Sequence, residues 1–387
     1  GVSLKLSALD TSTISAIAGA VSLAFAFGGT AGVAVSVGVS LAKNLIDGKV
    51  TAAINKATVT NKAGSGTPGG ITLTAREDPG IRAVSAAASV AVGAGTFGAG
   101  VAGAGAWARN EITTATSATI TDATLTSGGK VSLTAEDTSQ ITAIIAAVAI
   151  GVGAGAGGLG VAIGGAVAEN IISTVTTAQI LRSSVFYSVS SDLTLQATTN
   201  QVINALVLAG SMAVAVGDGG AVGASGAAAR NSITGQTTAS VDGGVTGATI
   251  GSETVPVASI TIKALDTSLI NAVTGAASIA ASFGPNVGVA IGIGVALAWN
   301  RIDNAVDAAV VNAVVTGSGP FNMAADEAAQ IKAWTAAASL SVAVGLVAVG
   351  VSGAGAQATN IILTKVNAHV DGGSMESAGD ITIKATN

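Results

Sequence analysis

From Ala16 to Ala42 the chain alternates between bulky and tiny residues. Ile17, Val21, Leu23, Phe25 and Phe27 hold odd positions, against Ala16, Ala18, Ala20, Ser22, Ala24 and Ala26 on even ones. After Gly28 and Gly29 the rule resumes, with Val33, Val35, Val37, Val39 and Leu41 against Ala34, Ser36, Gly38, Ser40 and Ala42. Period two separates the two kinds onto opposite faces of a β-strand, whereas a helix would mix them. The pattern predicts two long strands joined by a glycine turn. Neither face is polar, so both are expected to be buried. The bulky face should pack against facing strands of the same coil. The Ala/Gly/Ser face should admit a second sheet closer than the usual spacing of about 10 Å.

The same unit recurs along the chain. Asn44, Asn110, Asn170, Asn231, Asn300 and Asn360 each end a long apolar run, at separations of 66, 60, 61, 69 and 60 residues. Ten positions after each comes a β-branched residue: Ile54, Ile120, Ile180, Val241, Val310 and Val370. A short extended signature recurs around Ala8, Ala75, Ala135, Ala197, Ala264, Ala324 and Ala385. The signatures divide residues 1–387 into repeats at about 8–74, 75–134, 135–196, 197–263, 264–323 and 324–385, forming one repetitive domain. Length variation falls at KAGSGTPGG and VDGGVTGATIGSETVP, as for insertions in surface loops. Strands buried on both faces that return at this period can stack on their copies. The expected fold is therefore all-β: a wide-coil parallel β-solenoid of six repeats of about 60–69 residues with Ala/Gly/Val-rich long strands. The six Asn anchors are expected to form a structural amide ladder. The chain ends on a seventh signature, like a piece of a longer array without a polar cap.

Two other readings suit the apolar content less well. Paired membrane helices conflict with the abundant Gly and β-branched residues and with the scarcity of basic residues for orientation. A transmembrane β-barrel should have a polar lumen face, and here both faces are apolar or tiny. The segment is therefore expected not to span a membrane.

Composition narrows the chemistry. Of 387 residues 49% are hydrophobic and 10% charged, with 53 Gly and 3% aromatic, so small aliphatic residues must fill the interior. The formal charge of -5 and the lack of a basic run make nucleic acid an unexpected partner. With no Cys and one His, a thiolate or multi-histidine metal site cannot be built, and no cofactor or metal is expected. Absence of Cys is compatible with an oxidising exterior, and an extracellular or cell-surface setting is expected. The sequence begins at Gly1 with no basic n-region, so any secretion signal is expected to have been removed or to lie outside these residues.

No catalytic constellation emerges. His369 stands alone on a strand after an Asn anchor, as a surface residue. Asp10, Glu77, Asp78, Glu136, Asp137, Asp266, Asp326 and Glu327 follow the signature strands. They read as a solvated acidic corner, with weak calcium binding as an alternative lacking the G-G-x-G-x-D pattern. GDGG at 217–220 does not repeat, and no phosphate-binding glycine motif occurs. Trp107, Trp299 and Trp334 lie near the ends of long strands, suited to packing or corner shielding. Lys43, Arg109 and Arg230 precede their Asn anchors without forming a continuous basic stripe, since Glu169, Trp299 and Thr359 take that place elsewhere.

The alternating Val/Ala/Gly segments, the A-x-N endings and the closing G-x-[IVL]-x-[IL]-x-A strands resemble repeats of very large bacterial surface or secreted filamentous, adhesin-like proteins. The sixth signature, FNMAADEA, departs from that pattern, and the family supplies no catalytic residues to carry over. The resemblance implies a non-catalytic extracellular stalk or fibre, self-associating or continuing into adjoining repeats. The alternative is an adhesive module holding polysaccharide or another surface on its Thr-rich face. A polysaccharide-cleaving enzyme would need clustered carboxylates in a groove, for which candidates are too few.

Overall fold

The computed structural model describes residues 2–61 and 69–387. Of the two length-variable segments, KAGSGTP of the first lies outside the described residues. The other, expected as a surface loop, runs from the end of one strand through a turn that exposes Val245 fully into the short strand Ala248–Ile250, whose Ala248 and Ile250 are buried.

The chain forms two parallel sheets of ten strands each, packed face to face. One holds β1 (Leu4–Asp10), β2 (Thr13–Phe27), β5 (Ile71–Glu77), β6 (Gly80–Ala94), β9 (Val131–Asp137), β10 (Gln140–Ala154), β13 (Leu193–Val216), β16 (Ile260–Phe283), β18 (Phe321–Val344) and β20 (Ile381–Thr386). The other holds β3 (Ala31–Asn55), β4 (Thr58–Asn61), β7 (Phe97–Thr121), β8 (Thr124–Ser127), β11 (Gly157–Leu181), β12 (Ser184–Tyr187), β14 (Gly219–Asp242), β15 (Ala248–Ile250), β17 (Val287–Gly317) and β19 (Val347–Ser377). In the first sheet, short and long strands remain separate up to β10. In β13, β16 and β18 they fuse into continuous strands of 24 residues, and β20 is again short.

Three layers fill the space between the sheets. At the base, Ile71, Leu73, Ile120, Leu125 and Leu133 belong to a core of ordinary large aliphatic residues. A narrower layer contains one Ile from most strands, such as Ile81, Ile112, Ile141, Ile172 and Ile203. Beyond it the interior is almost entirely Ala, Gly and Ser. There the sheets close until backbone meets backbone. A Cβ on Gly100 of β7 would sit 2.1 Å from the carbonyl oxygen of Val152 on β10, and one on Gly160 of β11 would sit 2.3 Å from that of Val214 on β13. Serines bridge the gap, as where Ser89 Oγ donates to the Ser36 carbonyl at 2.8 Å.

These contacts correct the expected architecture. The wide-coil six-repeat solenoid of uniform strands is replaced by two closely packed sheets whose strands range from 3 to 31 residues. The tiny-residue faces collapse onto each other, so no wide lumen remains for bulky groups. Val33, Val35, Val37, Val39 and Leu41 point outward, opposite to the expected direction, and are more than half exposed. The sixth signature is also shifted by one residue: Ala325, not Ala324, pairs with Ala264 and Ala385.

Candidate functional site

The strands keep their parity throughout, but their hydrophobic phase inverts at the Asn anchors. In β3, odd positions up to Leu41 are bulky and outward. From Ile46 the bulky residues Ile46, Val50 and Ile54 occupy even positions and are buried. The polar groups outside the base change sides with them. The outcome is a conventional base below an inside-out slab.

The slab has a sharp lower boundary on both sheets. On one, the outward row is Ser15, Arg82, Thr142, Asn204, Asn271 and Lys332. On the other it is Lys43, Arg109, Glu169, Arg230, Trp299 and Thr359. The hydrogen bonds Ser40 to Ser85 and Ser36 to Ser89 fix the level of one sheet against the other. Counting from them along the antiparallel runs of β3 and β6 puts Lys43 opposite Arg82. The two rows therefore form one polar collar. Between collar and turn tips, Asp218 is the only charged residue. It lies at a tip, where it accepts hydrogen bonds from Asn286 Nδ2 and from the backbone N–H groups of Asn286 and Val287. These bonds lower its pKa below the ordinary carboxylate value.

Above the collar the outer faces are apolar. Ile163 is 56% exposed, although β7 and β14 flank its strand on either side, so the exposure belongs to the face and not to an edge. Val148, Leu208, Ile279 and Ile293 are likewise exposed on strands with neighbours on both sides. Trp107 is outward in the row just above the collar, Trp299 within it, and Trp334 just above it on the opposite sheet. Arg230 lies over the Trp299 ring, 4.9 Å from its centroid, and Glu169 is within 3.4 Å of Arg109 and 3.5 Å of Arg230. The three Trp residues thus mark the slab's lower rim.

Just inside the collar lies the amide ladder. Nδ2 of Asn44 donates to Oδ1 of Asn110 at 2.8 Å, and the same bond runs from Asn110 to Asn170, Asn170 to Asn231, Asn231 to Asn300 and Asn300 to Asn360, each at 2.8 Å. It separates the tiny-residue interior from the Ile layer.

The acidic residues after the signature strands divide between two faces. Asp78, Glu136 and Asp326 are outward, and Arg76 pairs with Asp78 and Glu136. Asp10, Glu77, Asp137, Thr199, Asp266 and Glu327 instead form one inward row. Glu77, Asp137 and Asp266 are fully buried and Glu327 nearly so, which corrects the reading of a solvated corner. Among the described residues no cluster of three or more His, Cys, Asp or Glu has a metal-holding arrangement. His369 Nδ1 lies 3.4 Å from Asp307 Oδ1 on the exposed side of the base.

Neither a protein-family model nor a curated protein sequence matches the chain. The likeness to filamentous, adhesin-like repeats is therefore corrected. The chain is a closed two-sheet body with buried polar networks, which is not the architecture of an elongated stalk, fibre or simple adhesive module. Nothing in its packing supports the expected association through adjoining repeats or a polysaccharide-holding face. No described helix is long and apolar enough to cross a membrane. That criterion concerns helices, whereas the slab is built of strands. The polar lumen expected of a barrel does not apply to a slab whose tiny-residue faces close on each other and whose bulky faces are exposed.

Proposed function

We propose that this domain is a non-catalytic module that seats its slab in the hydrocarbon of a lipid bilayer, with the base in water at a cell surface. The carrying observation is the charge-free apolar band on both outer faces, cut off at one level by the collar. From Ile17 to Phe27 the strand advances ten residues, and at about 3.3 Å each this gives ~33 Å, against about 30 Å for a bilayer core. Six strands about 4.8 Å apart make each face roughly 900 Å², above the 300–600 Å² usual for the largest patch of a soluble monomer.

Bilayer hydrocarbon requires internally paired backbone groups, and the parallel ladders supply this for every inner strand of the slab. Unpaired backbone is confined to the outermost slab strands, β2 and β3 on one side and β18 and β19 on the other, and the proposal requires these edges to be covered within the bilayer, since open sheet edges are not tolerated in hydrocarbon. The collar supplies the other half of the argument. Trp rings favour the interface between hydrocarbon and headgroups, and Arg82, Lys332, Lys43, Arg109 and Arg230 stand where headgroup phosphates would lie. Inside the slab the packing is close and made of small residues, as suits structures held by close backbone approach and not by a hydrophobic difference between interior and surroundings.

The test is flotation of the purified chain with phosphatidylcholine vesicles in 1 M NaCl. Wild type and a Thr113→Lys variant, altered on the outer face of the base, should float. Ile163→Lys, which charges mid-slab, should remain at the bottom while keeping its far-UV circular dichroism. Failure of wild type to float, or equal flotation of folded Ile163→Lys, would overturn the proposal.

A further inference from the structure

The inward carboxylate row poses a separate chemical problem. Its members stand on neighbouring strands about 4.8 Å apart, between the Ile layer and the base core, with only Thr199 interrupting the acids from Asp10 to Glu327. The opposite sheet presents Gly48, Thr114, Thr116, Thr174, Thr176, Gly235, Thr237 and Asn304. These residues carry no positive charge. Every described ion pair of Arg76, Arg109, Arg182, Arg230, Arg301 and His369 goes to a carboxylate outside the row. Buried carboxylates without a cation are costly to ionise.

Hydrogen bonding relieves the row unevenly. Asp137 accepts from Ser139 Oγ at 2.6 Å and Thr114 Oγ1 at 2.7 Å. Asp266 accepts from Ser268 Oγ at 2.6 Å and Asn304 Nδ2 at 3.1 Å. Glu77 accepts at Oε2 from Thr116 Oγ1 at 2.9 Å, but its Oε1 has no partner and occupies the space that a Cβ on Gly48 would fill. Glu327 accepts at Oε1 from Asn304 Nδ2 at 3.2 Å, and its Oε2 has none. Two neutral groups in the same layer, Thr176 Oγ1 and Asn304 Oδ1, are also buried without a partner. The layer thus holds unmet acceptors on both its acids and its neutral residues.

We infer that this row is a proton-binding site, with Glu77 and Glu327 as its principal groups, and that proton binding there makes folding of the domain dependent on pH. The charged neighbours strengthen the effect, because all are acidic: Asp10, Asp47 and Asp137 around Glu77, and Asp266 beside Glu327. Burial first, and then these neighbours, push Glu77 and Glu327 up to about 7. Burial raises Asp266 to about 6 and also raises Asp137.

The sign follows from the unfolded chain, in which the Glu77 and Glu327 carboxyls ionise near 4.5 and the Asp266 and Asp137 carboxyls near 3.8. Below these values both states are protonated and the fold keeps its full stability. As pH rises towards 7 the unfolded state gives up protons that the folded state retains, and stability falls. For each Glu the folding equilibrium weakens by about 300-fold across the window, the factor corresponding to a move from 4.5 to about 7. Asp122 and Asp218, lowered by Arg182 and by the Asn286 turn respectively, titrate below the window, whereas the raised Asp266 and Asp137 add to the slope and account for what the double variant keeps.

The experiment is urea unfolding of the purified full chain from pH 5 to pH 8, for wild type and the Glu77→Gln, Glu327→Gln double variant. The wild-type midpoint should fall steadily with pH, and the double variant should lose most of that slope while remaining folded at pH 8. Direct proton uptake on refolding at pH 6, measured in weakly buffered solution, should drop by about two protons at most in the variant. A flat wild-type midpoint, or an unchanged slope in the variant, would overturn the inference. So would a specific rise of the pH 8 midpoint with NaCl or KCl that choline chloride does not reproduce, since the ligand would then be a metal cation. None of these readouts involves lipid, so the result stands or falls apart from the bilayer reading.

Discussion

Replacing Gly100 by Ala probes the close approach of the sheets. The new methyl would lie 2.1 Å from the Val152 carbonyl oxygen and 2.6 Å from that of Ala91, both on the facing sheet. The shorter distance is roughly 1 Å or more short of van der Waals contact. Neither obstacle is a side chain that can rotate away, and both oxygens belong to strands paired on either side. The sheets must part locally, at an overpacking cost of about 3 kcal/mol. Reduced freedom of the unfolded chain returns about 0.5 kcal/mol. The expected net loss is about 2.5 kcal/mol. Gly103, three residues along the same strand, is the control. Its added methyl would point outward, with Val37 Cγ2 at 3.8 Å as its nearest contact, so Gly103→Ala should be neutral or slightly stabilising. In urea unfolding followed by far-UV circular dichroism, with a slope of about 3 kcal/mol/M, Gly100→Ala should lower the midpoint by ~0.8 M relative to wild type. Equal midpoints for the two variants, within about 0.2 M, would refute the claim that the slab interior is closed to a single methyl.

Two further substitutions test other parts of the fold. Asn170→Ala removes one rung of the ladder, leaving the Asn110 amide without its acceptor and Asn231 Oδ1 without its donor. A loss of about 3 kcal/mol is expected in urea unfolding, and a change below about 0.5 kcal/mol would show the ladder to be dispensable. Lys56 holds φ 51° at a corner where Asp122, Arg182 and Asn312 adopt the same left-handed conformation and Gly372 has φ 68°. Lys56→Gly should raise stability by up to about 1 kcal/mol, read as a higher midpoint in thermal unfolding.

Much of the strand pattern is visible in the chain. The alternation around Val21 and Val37 specifies extended backbone, and the spacing of the Asn residues coincides with the strand pairings that bring Asn44, Asn110 and Asn170 side by side. The direction of the faces does not follow from the general tendency of bulky aliphatic groups to turn inward. The counter-signal is in the sequence: bulky residues move from odd positions at Val33 to Leu41 onto even positions at Ile46, Val50 and Ile54. With parity unchanged, one of the two sets must face outward. The carboxylate row is not legible in the sequence, because Glu77 is followed at once by Asp78, and Asp137 is preceded by Glu136. Adjacent residues point to opposite faces of a strand, and composition does not distinguish the buried member of such a pair. The shift from Ala324 to Ala325 was hidden by the run AADEAA, where either alanine satisfies the local pattern.

Extended strands, glycine turns, a recurring Asn and long runs short of large side chains are legible in the amino-acid order, because side-chain size and period two act locally along the chain. Tertiary structure decided what those strands enclose. Two faces of Ala, Gly and Ser approach until their backbones touch, and this excludes the wide coil, turns the Val, Leu, Ile and Phe side chains outward above the collar, and carries Glu77, Asp137, Asp266 and Glu327 into a layer with no cation to meet them. How close the sheets come depends on both inner faces together, which no single strand records.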